Sequence, residues 1–365
     1  MKPPIPERIR ALEPYKPGKP IEEVERELGL RGSVKLASNE NALGPSPRVI
    51  RALTQALPGL HRYPDGSAVV LTAKLAAHLG VPPECIVLGN GSNEMIELLV
   101  RLFAAPGDEV IMSEDAFLVY DLVCRAVGAR PVKVKAKGFH HDLEALAEAV
   151  GEKTRLVFLV NPNNPTGTIF TRAQWESFLP RIPARVVVVV DQAYCEYVDD
   201  PAYPDTIADH GRHPGLVTLR TFSKVHSLAG LRVGYAVGSS EIIDALGRFR
   251  QPFNVNSLAQ VAACAALDDR EHLDASRALA RSARAQLERG LAALEVDSVP
   301  SHANFVLCDV GDGAAVTDAL LHRGVIVRPM FAYGFPHMIR VTYGTDEENQ
   351  RFLEALAGVF EESRR

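Results

Sequence analysis

The chain has 365 residues, of which 47% are hydrophobic and 23% charged, as is usual for a soluble globular protein. This length allows a sizeable core and predicts two domains. The net charge of −5 gives no support for a nucleic-acid surface, which would need a basic face. The longest aliphatic run, Val186–Val190, is far too short to span a bilayer. We therefore expect neither a nucleic acid nor a membrane as a partner.

The cysteine and histidine positions argue against disulfides and metals. Five cysteines are scattered along the chain without the paired spacing of a disulfide framework or a zinc site. The His140-His141 pair has no carboxylate or cysteine at ligand spacing, so we expect no metal site. No apolar segment follows Met1, and the prolines near it argue against a signal helix. These features predict a cytoplasmic protein with reduced thiols.

The N-terminal half begins with a proline-rich and then charged arm and continues with regularly spaced helical segments. Apolar spacing predicts a helix over Ile21–Leu28 that stops at Gly29. Lys35–Asn41 is typical of a short strand that runs into a turn. Further helices are predicted over Pro47–Leu57, Leu71–Leu79, Met95–Phe103, Val119–Val127, Leu143–Val150 and Ala173–Leu179.

Short apolar strands alternate with these helices from residue 85 onwards. They are predicted over Cys85–Leu88, Val110–Met112, Pro131–Lys135, Leu156–Val160, Val186–Val190, Leu216–Leu219 and Tyr235–Val237. This alternation predicts an α/β fold with a mostly parallel central sheet and helices on both faces. The unbroken valine run of Val186–Val190 favours a central strand that is buried on both sides.

The pattern changes beyond about Pro252. Helices are predicted over Leu258–Leu267 and Arg277–Leu294, followed by short strands and a final helix that Thr345 or Asp346 caps. The short strands are Asn304–Cys308, Val325–Arg328 and Ile339–Thr342. We therefore predict an arm over 1–44 that packs with the small domain, a large α/β domain over 45–250, and a small α+β domain over 251–365.

Polar motifs follow several of the predicted strands. Gly89–Glu94 opens a helix whose first amides could receive a phosphate. The sixth position is Glu94 rather than glycine, so the segment is not a dinucleotide motif. A plain helix cap by Ser92 or Asn93 is the alternative interpretation.

Two further motifs carry amide, carboxylate and phenol groups. Asn161–Gly167 is a rigid polar turn, interpreted either as a connecting loop or as a segment that presents an asparagine amide to a ligand. Asp191 ends the valine strand, where a buried carboxylate is costly unless it is paired. It either caps the next segment or meets a cationic ring nitrogen, and Tyr194 could reach the same ligand.

The segment Thr221–Gly234 holds a lysine and an arginine between two strands. Lys224 can form a Schiff base with an aldehyde, and Arg232 can hold an anion. Pyridoxal phosphate has both an aldehyde and a phosphate. Because the carboxyl ends of strands are where open α/β sheets bind ligands, these motifs together predict a cofactor site.

On these motifs the chain resembles the fold-type I pyridoxal-phosphate aminotransferases, and most closely the histidinol-phosphate aminotransferases. The resemblance runs from Leu36–Asn41 to Arg340–Gly344. Its most specific parts are Asn161–Gly167, Asp191–Tyr194 and Ser223-Lys224 with Leu228–Arg232. It implies pyridoxal 5′-phosphate as the cofactor.

The resemblance also assigns roles to individual positions. Lys224 matches the lysine that forms the aldimine and shuttles the proton, and Asp191 matches the partner of the pyridine nitrogen. Phe117 falls where the family places a stacking aromatic ring, often a tyrosine, so its missing hydroxyl removes any polar role. The remaining cofactor contacts implied are Asn164 and Tyr194 at the 3-oxygen, and Ser92, Asn93, Thr221, Ser223 and Arg232 at the phosphate.

Tyr63 resembles the tyrosine that reaches the phosphate in the other subunit, which implies a homodimer with shared active sites. The implied substrate contacts are Tyr15, Asn39, Arg328 and Arg340. Two arginines suit a dianionic phosphate ester better than one does. The alternative for Arg328 is an ordinary surface position on a strand.

The predicted activity is a ping-pong transamination between L-histidinol phosphate and 2-oxoglutarate, a step of histidine biosynthesis. The partners are then a small-molecule amino donor and a 2-oxo acid acceptor. An aromatic amino-acid aminotransferase is the nearest alternative, because it shares nearly every motif. A phosphothreonine decarboxylase-like enzyme and a non-catalytic cofactor-binding regulator are the others.

Overall fold

A computed structural model of the chain describes residues 3–14 and 18–363. The helices are α1 (Glu7–Arg10), α2 (Ile21–Leu28), α3 (Pro47–Ala56), α4 (Val69–Leu79), α5 (Ser92–Phe103), α6 (Val119–Val127), α7 (Leu143–Glu148), α8 (Arg172–Phe178), α9 (Ser240–Phe249), α10 (Ser257–Leu267), α11 (Arg270–Ala293), α12 (Gly313–Leu321) and α13 (Asp346–Ser363). The strands are β1 (Val34–Lys35), β2 (Ile86–Gly89), β3 (Glu109–Ser113), β4 (Arg130–Val134), β5 (Thr154–Val160), β6 (Val187–Asp191), β7 (Leu216–Thr221), β8 (Gly234–Val237), β9 (Ser298–Val299), β10 (Phe305–Asp309), β11 (Val325–Ile326), β12 (Arg328–Pro329) and β13 (Met338–Thr342). Among these residues no helix is both long enough and apolar enough to cross a membrane.

The central sheet has the strand order β2-β8-β7-β6-β5-β3-β4, and the predicted α/β class is confirmed. Strands β7, β6, β5, β3 and β4 are parallel, whereas β8 is antiparallel to both of its neighbours. Every residue of β6 is buried, as expected for a valine strand covered on both faces. As a result, β2, β5, β6 and β7 all end at the same edge of the sheet.

A second, smaller sheet has the antiparallel order β12-β13-β10-β9. Helices α11, α12 and α13 pack against it around a core that includes Leu291, Phe352 and Leu356. Strand β1 of the N-terminal segment pairs with β11 in parallel, and Leu36 joins the same core. The N-terminal segment therefore packs on the smaller unit.

Helix α10 packs with the large unit rather than with the smaller one. Its buried Ala259, Ala262 and Ala263 share a hydrophobic cluster with Leu71 and Leu75 of α4. Small side chains on one face let helices approach closely. The division into 1–44, 45–250 and 251–365 stays a prediction, and this packing leads us to propose a boundary near residue 268 instead.

Four of the described elements have weaker sequence signals and were not predicted: α1, α9, α12 and the two-residue strand β9. Helix α11 begins at Arg270 rather than Arg277, because the Asp269 side chain caps it by accepting from the His272 amide at 3.1 Å. The strand predicted over Val325–Arg328 is divided between β11 and β12, which belong to different sheets.

Replacement of Phe352 tests how much the smaller core contributes to stability. Phe352 is fully buried, so Phe352→Ala is expected to lower the free energy of unfolding by about 3–5 kcal/mol in urea denaturation. Phe331→Ala is the matched control, since Phe331 is 59% exposed. Equal losses in the two variants would contradict the packing described for this core.

Candidate active site

A cleft of about 390 Å³ lies at the edge where the parallel strands end. It is bounded by the central sheet, the segment after β1, and β13 of the smaller unit. The predicted site residues that line it are Asn39, Ser92, Asn93, Phe117, Asn164, Asp191, Tyr194, Thr221, Ser223, Lys224, Arg232 and Arg340. Positions far apart in sequence are therefore brought to one cavity.

Lys224 follows β7 in the loop that closes one wall of the cleft. Its Nζ donates to the backbone carbonyl oxygen of Ser38 at 3.2 Å and lies 5.5 Å from the centre of the Tyr194 ring. These contacts hold the amine at the junction of the arm and the central sheet. An amine in a cleft is suited to condense with an aldehyde.

Asp191 is the last residue of β6 and is only 4% exposed. Its Oδ2 accepts from the Tyr120 hydroxyl at 2.8 Å, and its Oδ1 accepts from the Ala193 amide at 3.1 Å. Burial raises the pKa of Asp191, although these hydrogen bonds and the charge of Lys224 oppose the rise. A cationic partner stabilises such a carboxylate, and a protonated pyridine nitrogen is one.

Tyr194 and Asn39 form a hydrogen-bonded pair on the opposite wall. Asn39 Nδ2 donates to the Tyr194 hydroxyl oxygen at 2.9 Å, and Asn39 Oδ1 accepts from the Thr342 hydroxyl at 3.2 Å. Burial raises the pKa of Tyr194, so its hydroxyl stays protonated and remains a donor. A phenol donor at this position suits the 3-oxygen of a pyridoxal ring.

Arg340 brings the smaller unit into the site. Its Nη1 donates to Asn164 Oδ1, its Nη2 donates to the Ala37 carbonyl oxygen at 2.9 Å, and its guanidinium lies 5.2 Å from the Phe305 ring centre. The side chain is 5% exposed, and Nε has no hydrogen-bond partner among the described residues. A guanidinium fixed in this way is ready to bind a carboxylate or phosphate.

Helix α5 begins beside Arg232 because two glycines allow a close approach. Gly91 precedes the helix with a φ of 77°, and a Cβ there would lie 2.5 Å from Arg232 Nη2. A Cβ on Gly234 would lie 2.6 Å from the Ser92 amide nitrogen. Neither position tolerates a side chain, so the backbone amides and the guanidinium converge on one small space.

The hydroxyls at the end of β7 complete this space. Thr221 Oγ1 lies 2.9 Å from Ser223 Oγ, and the Asn93 side chain lines the cleft from the first turn of α5. A helix N-terminus, hydroxyls and an arginine together bind a phosphate well. The residues present therefore fit pyridoxal phosphate: an amine for its aldehyde, a carboxylate for its ring nitrogen and this cradle for its phosphate.

Comparison with known proteins agrees with this geometry. Residues 31–356 match the family described as aminotransferase class I and II. The chain belongs to this family. It is 50% identical to histidinol-phosphate aminotransferase 1 of Nitrosococcus oceani, over 98% of this chain and 96% of the relative, and 49% identical to histidinol-phosphate aminotransferase of Anaeromyxobacter sp., over 97% and 98%.

A solved structure confirms the fold of this aminotransferase. Histidinol-phosphate aminotransferase from Sinorhizobium meliloti, solved in complex with pyridoxal 5′-phosphate, superposes with a TM-score of 0.91 at 29% identity, covering 100% of this chain and 99% of that one. The predicted fold type I is thus confirmed, and the enzyme is a pyridoxal-phosphate-dependent aminotransferase.

Some residues of the aminotransferase site lay outside the sequence prediction. Tyr120, which bonds Asp191, sits in α6 three residues after Phe117, and their rings meet edge to face at 5.9 Å. Tyr120 has the helical spacing of an ordinary core residue, which is why the sequence did not single it out. The available signal was its hydroxyl, because a buried tyrosine hydroxyl needs a hydrogen-bond partner. Ser38 contributes a backbone carbonyl, which no side-chain pattern reveals.

Two of the predicted contacts within the described residues, Tyr63 and Arg328, do not line the cleft. Tyr63 is 84% exposed and stacks on Phe253 with ring centres 4.9 Å apart, so it does not reach the cavity of its own chain. Arg328 lies directly opposite Arg340 in the β12–β13 register but does not line the cleft. Tyr15 lies outside the described residues. The roles of all three stay predictions.

The raised pKa of Asp191 predicts a specific pH dependence of stability. Between the ordinary aspartate pKa and the raised value, the folded apoenzyme binds more protons than the unfolded chain, so its stability falls as pH rises through that range. Asp191→Asn removes this loss. Without cofactor, we expect the variant to gain stability relative to the wild type as pH rises from about 4 to 7, measured by urea unfolding.

Asp244→Asn, at an exposed position of α9, is the matched control and should show no such trend. With cofactor added, Asp191→Asn should bind it more weakly than the wild type. A variant that loses the same stability at every pH would contradict the electrostatic reason given for the Asp191 pKa.

Proposed function

We propose that this aminotransferase transfers the amino group between L-histidinol phosphate and 2-oxoglutarate, in histidine biosynthesis. The observation that carries the proposal is the placement of Arg328 directly opposite Arg340. Directly opposed residues of an antiparallel pair point to the same face of the sheet. Relatives about 50% identical over nearly the whole chain, all named histidinol-phosphate aminotransferases, support the same substrate.

The two arginines account for both substrates. A phosphate monoester is close to a dianion at neutral pH, and two guanidinium groups match that charge. Arg340 is held by Asn164 and Ala37, so its position is fixed before a substrate enters. A carboxylate of 2-oxoglutarate would bind at the same fork, so one site serves the donor and the acceptor in turn. This sharing is the basis of the proposed ping-pong order.

Bound pyridoxal phosphate supplies an electron sink for the carbanion formed at the substrate carbon. In our proposal Lys224 Nζ holds the cofactor and later moves a proton to and from that carbon. Asp191 keeps a proton on the ring nitrogen, because its buried carboxylate gains from a cationic neighbour. The other proposed cofactor contacts are Ser92, Asn93, Phe117, Asn164, Tyr194, Thr221, Ser223 and Arg232.

The arginines also orient the reacting bond. Anchoring the anionic end of the substrate fixes the direction of its C–H bond relative to Lys224 Nζ, and such positioning contributes strongly to rate. Asn39 lies between Tyr194 and Thr342, where it can hold the substrate near the ring. Phe117 provides an apolar wall that excludes water.

We also propose a homodimer. Tyr63, which would reach the active site of the partner subunit, is exposed and stacks on the exposed Phe253. Other exposed apolar side chains lie in the same two stretches, residues 57–70 and 249–253, which Arg250 joins by donating to the Gly66 carbonyl oxygen. A large exposed apolar area is typical of an association surface. Its members are Leu57, Leu60, Tyr63, Val69, Val70, Phe249 and Phe253.

Replacing Lys224 tests the proposed catalytic amine. After borohydride treatment, wild-type holoenzyme should retain the cofactor covalently and Lys224→Ala should not, because Lys224 is the only lysine among the described residues that line the cleft. Turnover should fall by at least about 10²–10⁴-fold, the scale of a lost proton-transfer group. Mass spectrometry of the intact protein checks the first result. Lys74→Ala, remote from the cleft, should behave as wild type, and covalent cofactor in Lys224→Ala would refute the assignment.

Replacing Arg328 tests the substrate. Arg328→Met should lower kcat/KM for histidinol phosphate by about 10–100-fold, since a bond between charged groups is lost, and should change phenylalanine turnover far less. Half-reaction rates for both amines provide the comparison. Arg323→Met, which breaks an ion pair with Glu362 in the same unit, is the control. A wild-type preference for phenylalanine would instead favour the aromatic aminotransferase.

A further inference from the structure

Arg220 lies behind the active site, one residue before Thr221 in β7. Because successive side chains of a strand point to opposite faces, Thr221 lines the cleft and Arg220 points away from it. Arg220 Nε and Nη2 both donate to Gln192 Oε1, at 3.2 and 3.0 Å. Gln192 is fully buried and directly follows Asp191 at the end of β6. One guanidinium therefore ties together two neighbouring strand ends.

Arg220 also provides a positive charge near Glu196, a second residue of the segment that follows β6. Glu196 has a buried Oε2 without a hydrogen-bond partner among the described residues. Burial raises the pKa of Glu196, and the positive charge of Arg220 opposes that rise. Burial alone would lower the pKa of Arg220, but neighbouring Cys195, Tyr235 and Glu196 raise it, so the guanidinium stays charged.

The segment from Asp191 to Glu196 therefore has two sides. Asp191 and Tyr194 line the cleft, whereas Gln192 bonds Arg220 and Glu196 faces its charge. Tyr120 and Asn39 hold Asp191 and Tyr194 from the cleft side, and the Gln192 amide donates to the Leu219 carbonyl oxygen at 2.9 Å. Arg220 adds the side-chain hydrogen bonds on the far side of the segment.

We propose that Arg220 is a positioning residue, which holds Asp191 and Tyr194 in register with the phosphate-binding end of β7. This inference rests on the proposed roles of Asp191 and Tyr194 at the cofactor ring. Without Arg220, the buried Gln192 amide oxygen loses its donor and the Glu196 carboxylate loses a nearby positive charge, so the segment shifts to find water or other donors. A displacement of about 1 Å at the ring is enough to cost about 100-fold in rate.

Two single variants remove the hydrogen bonds between Arg220 and Gln192, one by replacing the donor and the other by replacing the acceptor: Arg220→Met and Gln192→Met. For both we expect kcat to fall about 10–100-fold while KM for histidinol phosphate changes by less than about threefold. We also expect the dissociation constant of the cofactor, titrated into apoenzyme by absorbance, to rise about tenfold. The pH midpoint of the bound cofactor's absorbance should shift, because a displaced Asp191 carboxylate stabilises the proton on the ring nitrogen less well.

The double variant and a conservative variant sharpen the test. Because Gln192 acts through Arg220, Arg220→Met with Gln192→Met should be no worse than Arg220→Met alone. Arg220→Lys, which keeps the charge and one donor, should recover part of the loss. If Arg220→Met does not fold, Gln192→Met carries the same measurements, since it leaves the arginine and Glu196 in place.

Arg277→Met is the matched control. Arg277 Nη2 binds Asp199 at 2.8 Å, just beyond the same segment, so its loss loosens the neighbourhood without touching Gln192. We expect it to lower the melting temperature and leave the cofactor absorbance unchanged. If Arg220→Met and Gln192→Met behave like this control, the positioning role is wrong. The proposed function is tested separately, because Lys224→Ala and Asp191→Asn would still abolish or weaken cofactor binding.

Discussion

The parallel pairing of β5, β6 and β7 is the constraint on which the site depends. The register that sets Val160 beside Asp191, and Asp191 beside Leu219, ends these strands at one edge. Their polar continuations then face a common space, although more than fifty residues separate the first from the last. Main-chain hydrogen bonds of a buried sheet are hard to shift, so the site inherits the rigidity of the core.

Two kinds of close contact convert this edge into a cleft. Gly91 and Gly234 let the start of α5 and the guanidinium of Arg232 approach the sheet, which concentrates positive potential in a small volume. On the other side, Arg340 joins the smaller unit to Asn164 and to the arm at Ala37. In the proposed function Arg232 serves the cofactor end and Arg340 the substrate end. Their separation would let the smaller unit determine the substrate without disturbing the phosphate cradle.

The sequence predicted the site residues best where the chemistry of a side chain and the end of an apolar strand coincide. Lys224, Asp191 and Arg232 lie on strand ends that apolar runs mark clearly, and the structure brings all three to the cleft. The alternation of strands and helices likewise predicted the sheet, and helix Ile21–Leu28 has the predicted bounds. These features depend on local periodicity, which a single sequence displays directly.

Other contributors depend on tertiary packing and have no local signal. Tyr120 has the spacing of a core helix residue, and only the approach of α6 to β6 gives its hydroxyl a carboxylate. The Ser38 contact uses a carbonyl, which any residue type would provide. Helix α10 follows a change of composition that suggested a new domain, yet its alanine face fits against α4. Each case is a pairing between distant segments, invisible to periodicity.

The alternation of side chains along a strand also explains why charged groups lie on both faces of this edge of the sheet, with Asp191 in the cleft and Arg220 behind it. Because the Asp191 side chain points into the cleft, the side chain of the next residue must point into the protein. That next residue is the polar Gln192 rather than an apolar one. Its amide oxygen requires a donor, which Arg220 supplies. A slip of one residue would exchange the two faces, removing the carboxylate from the cleft and bringing it to the guanidinium. Only the observed register pairs the Gln192 amide oxygen with Arg220 and also leaves Asp191 in the cleft, available to a cationic ring.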